Sequence, residues 1–369
     1  MDQRSASFGI WLKAGAVVLA LILLPSPAHA GALDEAYRDW KRTYLIDAGD
    51  RTLRVAFGKS GPRRAQTVSE GQGYGMLITV AMGSRRQFNA LWRFAKAHPS
   101  TIDPRLMDWK VPESHAGNDS AFDGDADMAY ALILAHQRWG AKRYLRDARA
   151  VISGLAESAV GPESRLPLLG DWVLRSGSGY TQWQFRSSDC MPANFAAFAA
   201  VSDRRLWRQV TRACVGALSA QSAATGTGLV SDFLVTRPVV GPAPPHFIEA
   251  STDGQYNYNA GRVPWRLALG GPKARAVAQR ISRWARSTTG GDPLRLRAGY
   301  RLNGNPAPNS DYFTTFFAAP LAVAASTDPD QRAWKHALVR AVDDRREDYY
   351  EDSVTLLCLL TLKGILPKA

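Results

Sequence analysis

Cysteine is scarce in this chain. Cys190, Cys214 and Cys358 are the only three in 369 residues, widely spaced and without a CxxC pair. That excludes a zinc ribbon, a thioredoxin-like redox motif and a disulfide-built scaffold. An oxidising compartment would permit one bridge and leave one thiol over; the expectation is three buried cysteines acting as small hydrophobes. Other signatures are missing too. Gly71, Gly73 and Gly75 do not make GxGxxG, and there is no P-loop, HExxH or GxSxG. His246 with Glu249 is too isolated for a metal site, so neither metal nor cofactor is expected. Beyond residue 30 no run of about 18 apolar residues occurs, which leaves no later helical membrane span.

Acidic residues are also in deficit, 33 against 46 basic ones, for a formal charge of +13. Residues 1–30 account for only one of those charges, since they hold Arg4 and Lys13 against Asp2. Arg4 and Lys13 precede an apolar run over 14–24, and Ala28-His29-Ala30 offers small residues where a signal peptidase cuts. This predicts a secretory signal peptide over 1–30, with an uncleaved anchor as the alternative. The protein is expected to be secreted or periplasmic, a monomer, and not inserted in the membrane after cleavage. A basic surface suits nucleic acid, anionic membrane or acidic polysaccharide. An exported protein seldom meets nucleic acid, so no nucleic-acid partner is expected.

From residue 33 onward apolar residues recur at three- and four-residue spacing. The periodic segments are 33–45, 70–82, 86–97, 127–139, 142–155, 193–201, 206–220, 262–268, 273–285, 312–325, 331–342 and 350–363. Long loops rich in Gly, Pro, Trp and Asp separate them at 46–68, 98–123, 159–189, 226–261 and 287–311. Loops of this length inside a compact domain are usually functional. They recur about once per pair of helices, the rhythm of a ring of helical hairpins with its long connections on one face. An all-α fold in one domain, 31–369, is the simplest reading.

Three stretches carry chemistry. In Ser69-Glu70-Gly71-Gln72-Gly73-Tyr74-Gly75-Met76 a single carboxylate lies at a helix start, and Ser69 and Gln72 have capping-box spacing. Each glycine inside a helix costs about 1 kcal/mol relative to alanine, so three in alternation imply close approach to the backbone; the expectation is room for a substrate. In Ala121-Phe122-Asp123-Gly124-Asp125-Ala126-Asp127-Met128 three aspartates alternate ahead of an apolar helix that runs to Trp139. An EF-hand loop counted from Asp123 would need Gly at 128 and Glu at 134, where Met128 and Leu134 stand. N-capping by Asp125 or Asp127 explains one aspartate and leaves the others. The third stretch, 247–266, crowds Glu249, Asp253, Asn257, Tyr258, Asn259, Arg262, Trp265 and Arg266 into a polar loop entering a helix. Aromatic faces stack on pyranose rings while amides, carboxylates and arginine bind hydroxyls. Loop tryptophans at 109, 172, 183 and 265 fit a sugar site, although core packing is the commoner fate of any one tryptophan. Two carboxylates flanking a sugar are what glycoside hydrolysis needs. Glu70, at the positive end of a helix dipole, needs burial or a neighbouring carboxylate to stay protonated; Asp123 is the candidate neighbour.

With these motifs the chain resembles glycoside hydrolase family 8, the inverting endoglucanases, licheninases, chitosanases and xylanases built on an (α/α)6 barrel. The resemblance spans Glu70 to about Tyr350. The first stretch resembles the family's general-acid motif, which makes Glu70 the acid. The second resembles its signature, with Phe122 where Ser or Thr is usual, and makes Asp123 the aspartate that helps bind and distort the sugar. Tyr258 to Arg262 resembles the Tyr-Asp-x-x-Arg block, but Asn259 stands where many members carry the general-base aspartate. A neutral amide cannot take a proton from water at pH 7. A branch of the family with Asn there draws its base from a glutamate in the preceding loop, which implies Glu249 here, with Asp253 as runner-up.

The resemblance implies an endo-acting hydrolase of β-1,4-glucan. Glu70, Glu249 and Asp123 are its expected catalytic residues, and Tyr258, Asn259, Arg262, Trp109, Trp172, Trp183 and Asp253 its expected substrate-binding ones. A chitosanase or licheninase with the same mechanism, and a non-catalytic glucan-binding barrel, are the alternatives; the positive charge argues against polycationic chitosan.

Overall fold

The inner helices of this protein are apolar on all sides, and the outer ones on a single stripe. That difference builds the architecture. The computed structural model describes residues 27–112 and 118–366; the expected leader falls almost wholly outside them. Among the described residues are thirteen α-helices: α1 Pro27–Tyr44, the short α2 Gly61–Ala65, α3 Ser69–Ala81, α4 Arg85–Ala97, α5 Phe122–Trp139, α6 Lys142–Ser158 and α7 Pro192–Val201. They continue as α8 Arg204–Ala224, α9 Val263–Ala268, α10 Pro272–Thr288, α11 Thr315–Ala325, α12 Arg332–Val342 and α13 Tyr349–Leu362.

Helices α3, α5, α7, α9, α11 and α13 pack in that order, and α13 closes back on α3. Each carries one outer helix, respectively α4, α6, α8, α10, α12 and α1. This is an (α/α)6 barrel. Every residue of α11 is buried, as expected of a helix enclosed on all sides. Outer α6 buries Tyr144, Ala148, Val151, Ile152 and Leu155, one stripe at helical spacing.

Several local expectations fail for identifiable reasons. Helix α5 begins at Phe122 rather than 127, so the three aspartates lie inside its first turns and none of them caps it. The capping box does not form: Ser69 is itself helical and its hydroxyl has no partner among the described residues. Gln72 instead accepts from Val55 N at 3.1 Å and donates to Leu53 O and Leu91 O. The long loops hold short antiparallel ladders that helical periodicity does not announce. They are β1 Leu45–Asp47 with β2 Leu53–Val55, β3 Thr67–Val68 with β4 Lys110–Val111, and β5 Gln184–Arg186 with β6 Phe233–Val235 and β7 Gly241–Pro242.

Three isolated cysteines are not what the fold contains either. Cys190 and Cys214 form a disulfide with Cα atoms 5.6 Å apart, tying the entry of α7 to α8; Cys358 is free and buried. Residues 24 apart in sequence meet because α7 and α8 form an antiparallel hairpin, a pairing that spacing alone does not reveal. Among the described residues no helix is long and apolar enough to cross a membrane.

Candidate active site

Strand β3 delivers the chain into α3 beside β4, and Ser69 N donates to Trp109 O at 2.9 Å. Glu70 therefore occupies the first turn of an inner helix at one end of the barrel. Helix α5 starts alongside, and glycines allow the contact. A Cβ at Gly124 would fall 2.7 Å from Glu70 N, and one at Gly73 would fall 2.9 Å from Gly124 O. The helices approach through bare backbone, which puts the Glu70 and Asp123 side chains on one guanidinium. Gly71 makes room for the ring of Tyr349, whose hydroxyl a Cβ there would meet at 2.6 Å. The glycines thus serve packing between helices, not the substrate clearance expected from their spacing.

Arg262 comes from the 3₁₀ turn Ala260–Arg262 that leads into α9. Its side chain is 1% exposed. Nη1 donates to Glu70 Oε2 at 2.5 Å, to Asp123 Oδ2 at 2.9 Å and to Tyr74 OH at 3.1 Å. Nη2 donates to Asn259 Oδ1 at 2.9 Å. Asn259 passes the connection on, its Nδ2 donating to Glu249 Oε2 at 2.8 Å. From β5, Arg186 reaches the same group: Nη2 lies 3.1 Å from Glu249 Oε1 and Nη1 3.5 Å from Asp123 Oδ2. Glu70, Asp123 and Glu249 are thereby joined through two arginines and one amide, although Glu249 stands 179 positions beyond Glu70 in sequence.

The carboxylates divide in proton affinity. Burial pushes Glu70 up, Asp123 pushes it further, and Arg262, Arg186 and the Tyr349 hydroxyl pull it back, leaving it at about 7. Burial acts on Asp123 as well, but Arg186 and Arg262 overcome it and hold that carboxyl below its ordinary value. A protonated Glu70 beside an ionised Asp123 leaves one negative charge on that pair, facing Arg186 and Arg262. Of two carboxyls pushed apart in pKa, the one that keeps its proton is the candidate acid. One layer below, Arg266 makes a two-pronged bond to Asp127 at 2.9 and 2.5 Å, with Asn194 donating to the same carboxylate.

Other expected site residues lie elsewhere. Asp253 is 1% exposed and accepts from the backbone N–H groups of Ile248, Glu249 and Ala250 at 2.7–2.9 Å. It braces the loop that carries Glu249 and has no surface for sugar or water. Arg262 and Asn259 are buried, with both guanidinium Nη atoms and both ends of the amide bonded to one another, to Tyr74 or to the carboxylates, so neither is placed to bind sugar directly. Trp265 lies inside α9 in the core, not in a loop. Trp172 packs edge-on against Tyr180 in the small apolar cluster that also holds Phe247 and Ile248, so it supports the Glu249 loop. Trp109 is half-buried beside the start of α3. Trp183 is half-buried too, with one face covered by Arg237 at 3.3 Å. Tyr258 keeps partial exposure, its hydroxyl 3.1 Å from that of Tyr312 and its ring stacked on Phe316.

Arg186, Tyr349 and Tyr350 belong to the site and carry no motif in the sequence. Tyr349 OH donates to Glu70 Oε1 at 3.2 Å, and Tyr350 OH to Tyr258 O at 3.2 Å. Among the described residues no group of three or more His, Cys, Asp or Glu is placed to hold a metal ion.

A closed ring of six helix pairs, with a protonated carboxyl beside an ionised one at one end, is the framework of a glycoside hydrolase. The chain belongs to the glycosyl hydrolases family 8, whose family model matches residues 12–364. It is 32% identical to an endoglucanase of Bacillus sp. (strain KSM-330), over 93% of this chain and 79% of that protein. It is also 32% identical to a beta-glucanase of Niallia circulans, over 92% and 87%. The apo structure of a beta-1,3-1,4-glucanase from Paenibacillus sp. X4 superposes with a TM-score of 0.86 at 30% identity, covering 93% of each chain.

Proposed function

We propose that this family 8 glycoside hydrolase is an exported, endo-acting β-1,4-glucanase working with inversion. Glu70 protonates the departing glycosidic oxygen. Glu249 takes a proton from the water that attacks the anomeric carbon on the opposite face, and Asp123 and Tyr258 orient the sugar between them. One observation carries the reading: a carboxyl held at about 7 shares an arginine-and-amide network with a carboxylate 46% exposed to solvent. An acid must hold its proton at the working pH, and a base must be able to reach water. The connection from Glu249 through Asn259 to Arg262 and Glu70 speaks against a binding barrel that has lost its base. The Cys190–Cys214 bridge supports export, because disulfides persist in oxidising compartments.

Mixed-linkage β-1,3-1,4-glucan is the second reading, favoured by the named activity of the Paenibacillus structure. Reducing-end release from carboxymethylcellulose, lichenan and chitosan, measured side by side, separates the substrates. The β-1,4-glucan reading expects the highest rate on carboxymethylcellulose; a clear preference for lichenan transfers the assignment to mixed-linkage glucan. NMR of the first product should show the α-anomer. A β-anomer at early times, or a Glu70→Gln variant with most of its activity, would overturn the mechanism.

A further inference from the structure

Asn259 was expected to bind sugar, and its environment says otherwise. The residue is 7% exposed, and both ends of its amide are committed. Oδ1 accepts from Arg262 Nη2 at 2.9 Å, and Nδ2 donates to Glu249 Oε2 at 2.8 Å. An amide can rotate by half a turn and exchange oxygen for nitrogen, but a guanidinium only donates and an ionised carboxylate only accepts. Between these two neighbours a single orientation is possible.

The turn that carries Asn259 is fixed independently. Asp232 Oδ1 accepts from the backbone N–H of Asn257 at 2.9 Å and of Ala260 at 2.7 Å. Asn259 is therefore a rigid donor aimed at a carboxylate on a loop. That loop is held by Asp253 at its backbone, by the bond from Tyr180 OH to Phe247 O at 2.9 Å and by the packing of Phe247 and Ile248 in the small apolar cluster, none of which fixes the Glu249 side chain. Among the described residues the side chain of Glu249 is hydrogen-bonded to two groups, Asn259 and Arg186.

We propose that Asn259 is the positioning residue of the general base: Arg262 locks its amide, and the amide holds Glu249 in the orientation from which it deprotonates water. The same arginine then serves both halves of the reaction. Nη1 holds the acid and Asp123 directly, and Nη2 holds the base through Asn259. Glu249 keeps Oε1 on Arg186 and Oε2 on Asn259, each with a lone pair to spare for water. A flexible glutamate side chain gains the fixed geometry that a reactive group needs within a fraction of an ångström. The proposal rests on Glu249 being the base.

The test compares Asn259→Leu, which keeps the branched shape and removes the amide, with Glu249→Gln and Glu70→Gln in the full chain. Asn259→Ala is run in parallel in case leucine packs badly, and circular dichroism checks that each variant is folded. The expected result for Asn259→Leu is a 10- to 100-fold fall in kcat with KM within about threefold. The acidic limb of the pH–rate profile should move upward, because a hydrogen bond to the charged form of Glu249 has been lost. A second substrate separates base from acid. On a cello-oligosaccharide with a dinitrophenol leaving group, which departs without protonation, Glu70→Gln should recover much of its activity and Asn259→Leu should not.

Recovery of Asn259→Leu on that substrate, or movement of its basic limb alone, means that Asn259 acts on the acid, and the proposal fails. A folded Asn259→Leu and Asn259→Ala with wild-type kcat and profile also ends it while leaving Glu249 in place. If Glu249→Gln keeps its activity, the assignment of the base falls and takes this proposal with it.

Discussion

Tyr349 donates a hydrogen bond to Glu70 across 279 positions of sequence, from the first turn of the last inner helix to the first turn of the first. The bond favours the ionised carboxylate and so lowers the pKa of Glu70, against burial, which raises it to about 7 overall. An acid that must be protonated is active below its pKa, so kcat/KM of the wild type should decline above about pH 7. Tyr349→Phe removes the donor and leaves the ring against Gly71. Its basic limb should move upward by roughly 0.4–0.7 of a pH unit, the equivalent of a bond worth 0.5–1 kcal/mol. A pH–rate profile of kcat/KM decides the matter; a downward or absent shift means that the hydroxyl does not tune the acid.

Gly124 holds α5 against the start of α3. Alanine there puts a methyl group 2.7 Å from Glu70 N, a backbone atom that has no rotamer to escape into. Overpacking of this kind costs about 1–3 kcal/mol. It also moves Asp123 away from Glu70 and Arg262, so Gly124→Ala should lose both stability and activity, the latter by 10-fold or more. Thermal unfolding and hydrolysis rates measured together check this. A variant with wild-type activity and melting temperature would show that the helices can separate freely.

Much of this site is legible in the sequence, and what is not has a physical reason. Glu70, Asp123 and the Tyr258–Arg262 block stand out because each lies at the start of an inner helix or its leading turn, where polar residues interrupt an apolar pattern. The barrel is legible because long loops recur about once per pair of periodic segments, the rhythm of a ring of helical hairpins. The role of the glycines is not legible: Gly73 and Gly124 face each other, and a one-dimensional pattern does not say what a bare backbone approaches. Arg186 reaches Asp123 and Glu249 from a long loop, and Tyr349 reaches the acid from the far end of the chain, where one arginine or tyrosine resembles any other. Asn259 was visible as a departure, but its role depends on two neighbours whose donor and acceptor characters fix its orientation.

The Cys190–Cys214 bridge closes a loop of 24 residues between α7 and α8. Chain-entropy treatment of a loop this size gives about 3.5 kcal/mol of stabilisation through the unfolded state. The doubly substituted Cys190→Ala/Cys214→Ala protein should unfold at a lower denaturant concentration, by roughly 2–4 kcal/mol in free energy, with kcat nearly unchanged because neither cysteine touches the carboxylate network. Urea titration of the oxidised, reduced and substituted forms measures it. Equal midpoints for oxidised and reduced protein would show that the bridge contributes nothing.

Asp189 presents a cost that the active site imposes on the fold. It is fully buried, and neither carboxylate oxygen has a hydrogen-bond partner among the described residues; Arg186 Nη1 is 3.9 Å away. Burial pushes its pKa up to about 8, opposed by Arg186, whereas an unfolded aspartate titrates near 3.9. A carboxyl with a raised native pKa contributes its full stability below the unfolded pKa and loses it as pH rises toward the folded one. Between about pH 4 and pH 8 the wild type should therefore lose stability progressively through this one residue. Asn has nearly the same shape and does not ionise, so Asp189→Asn should match the wild type near pH 4 and melt on the order of 5 °C higher at pH 8. Scanning calorimetry across that range is the measurement. A variant that melts lower than wild type at pH 8 means that Asp189 is ionised in the folded protein and holds Arg186 in place, which would also predict a loss of kcat through Glu249.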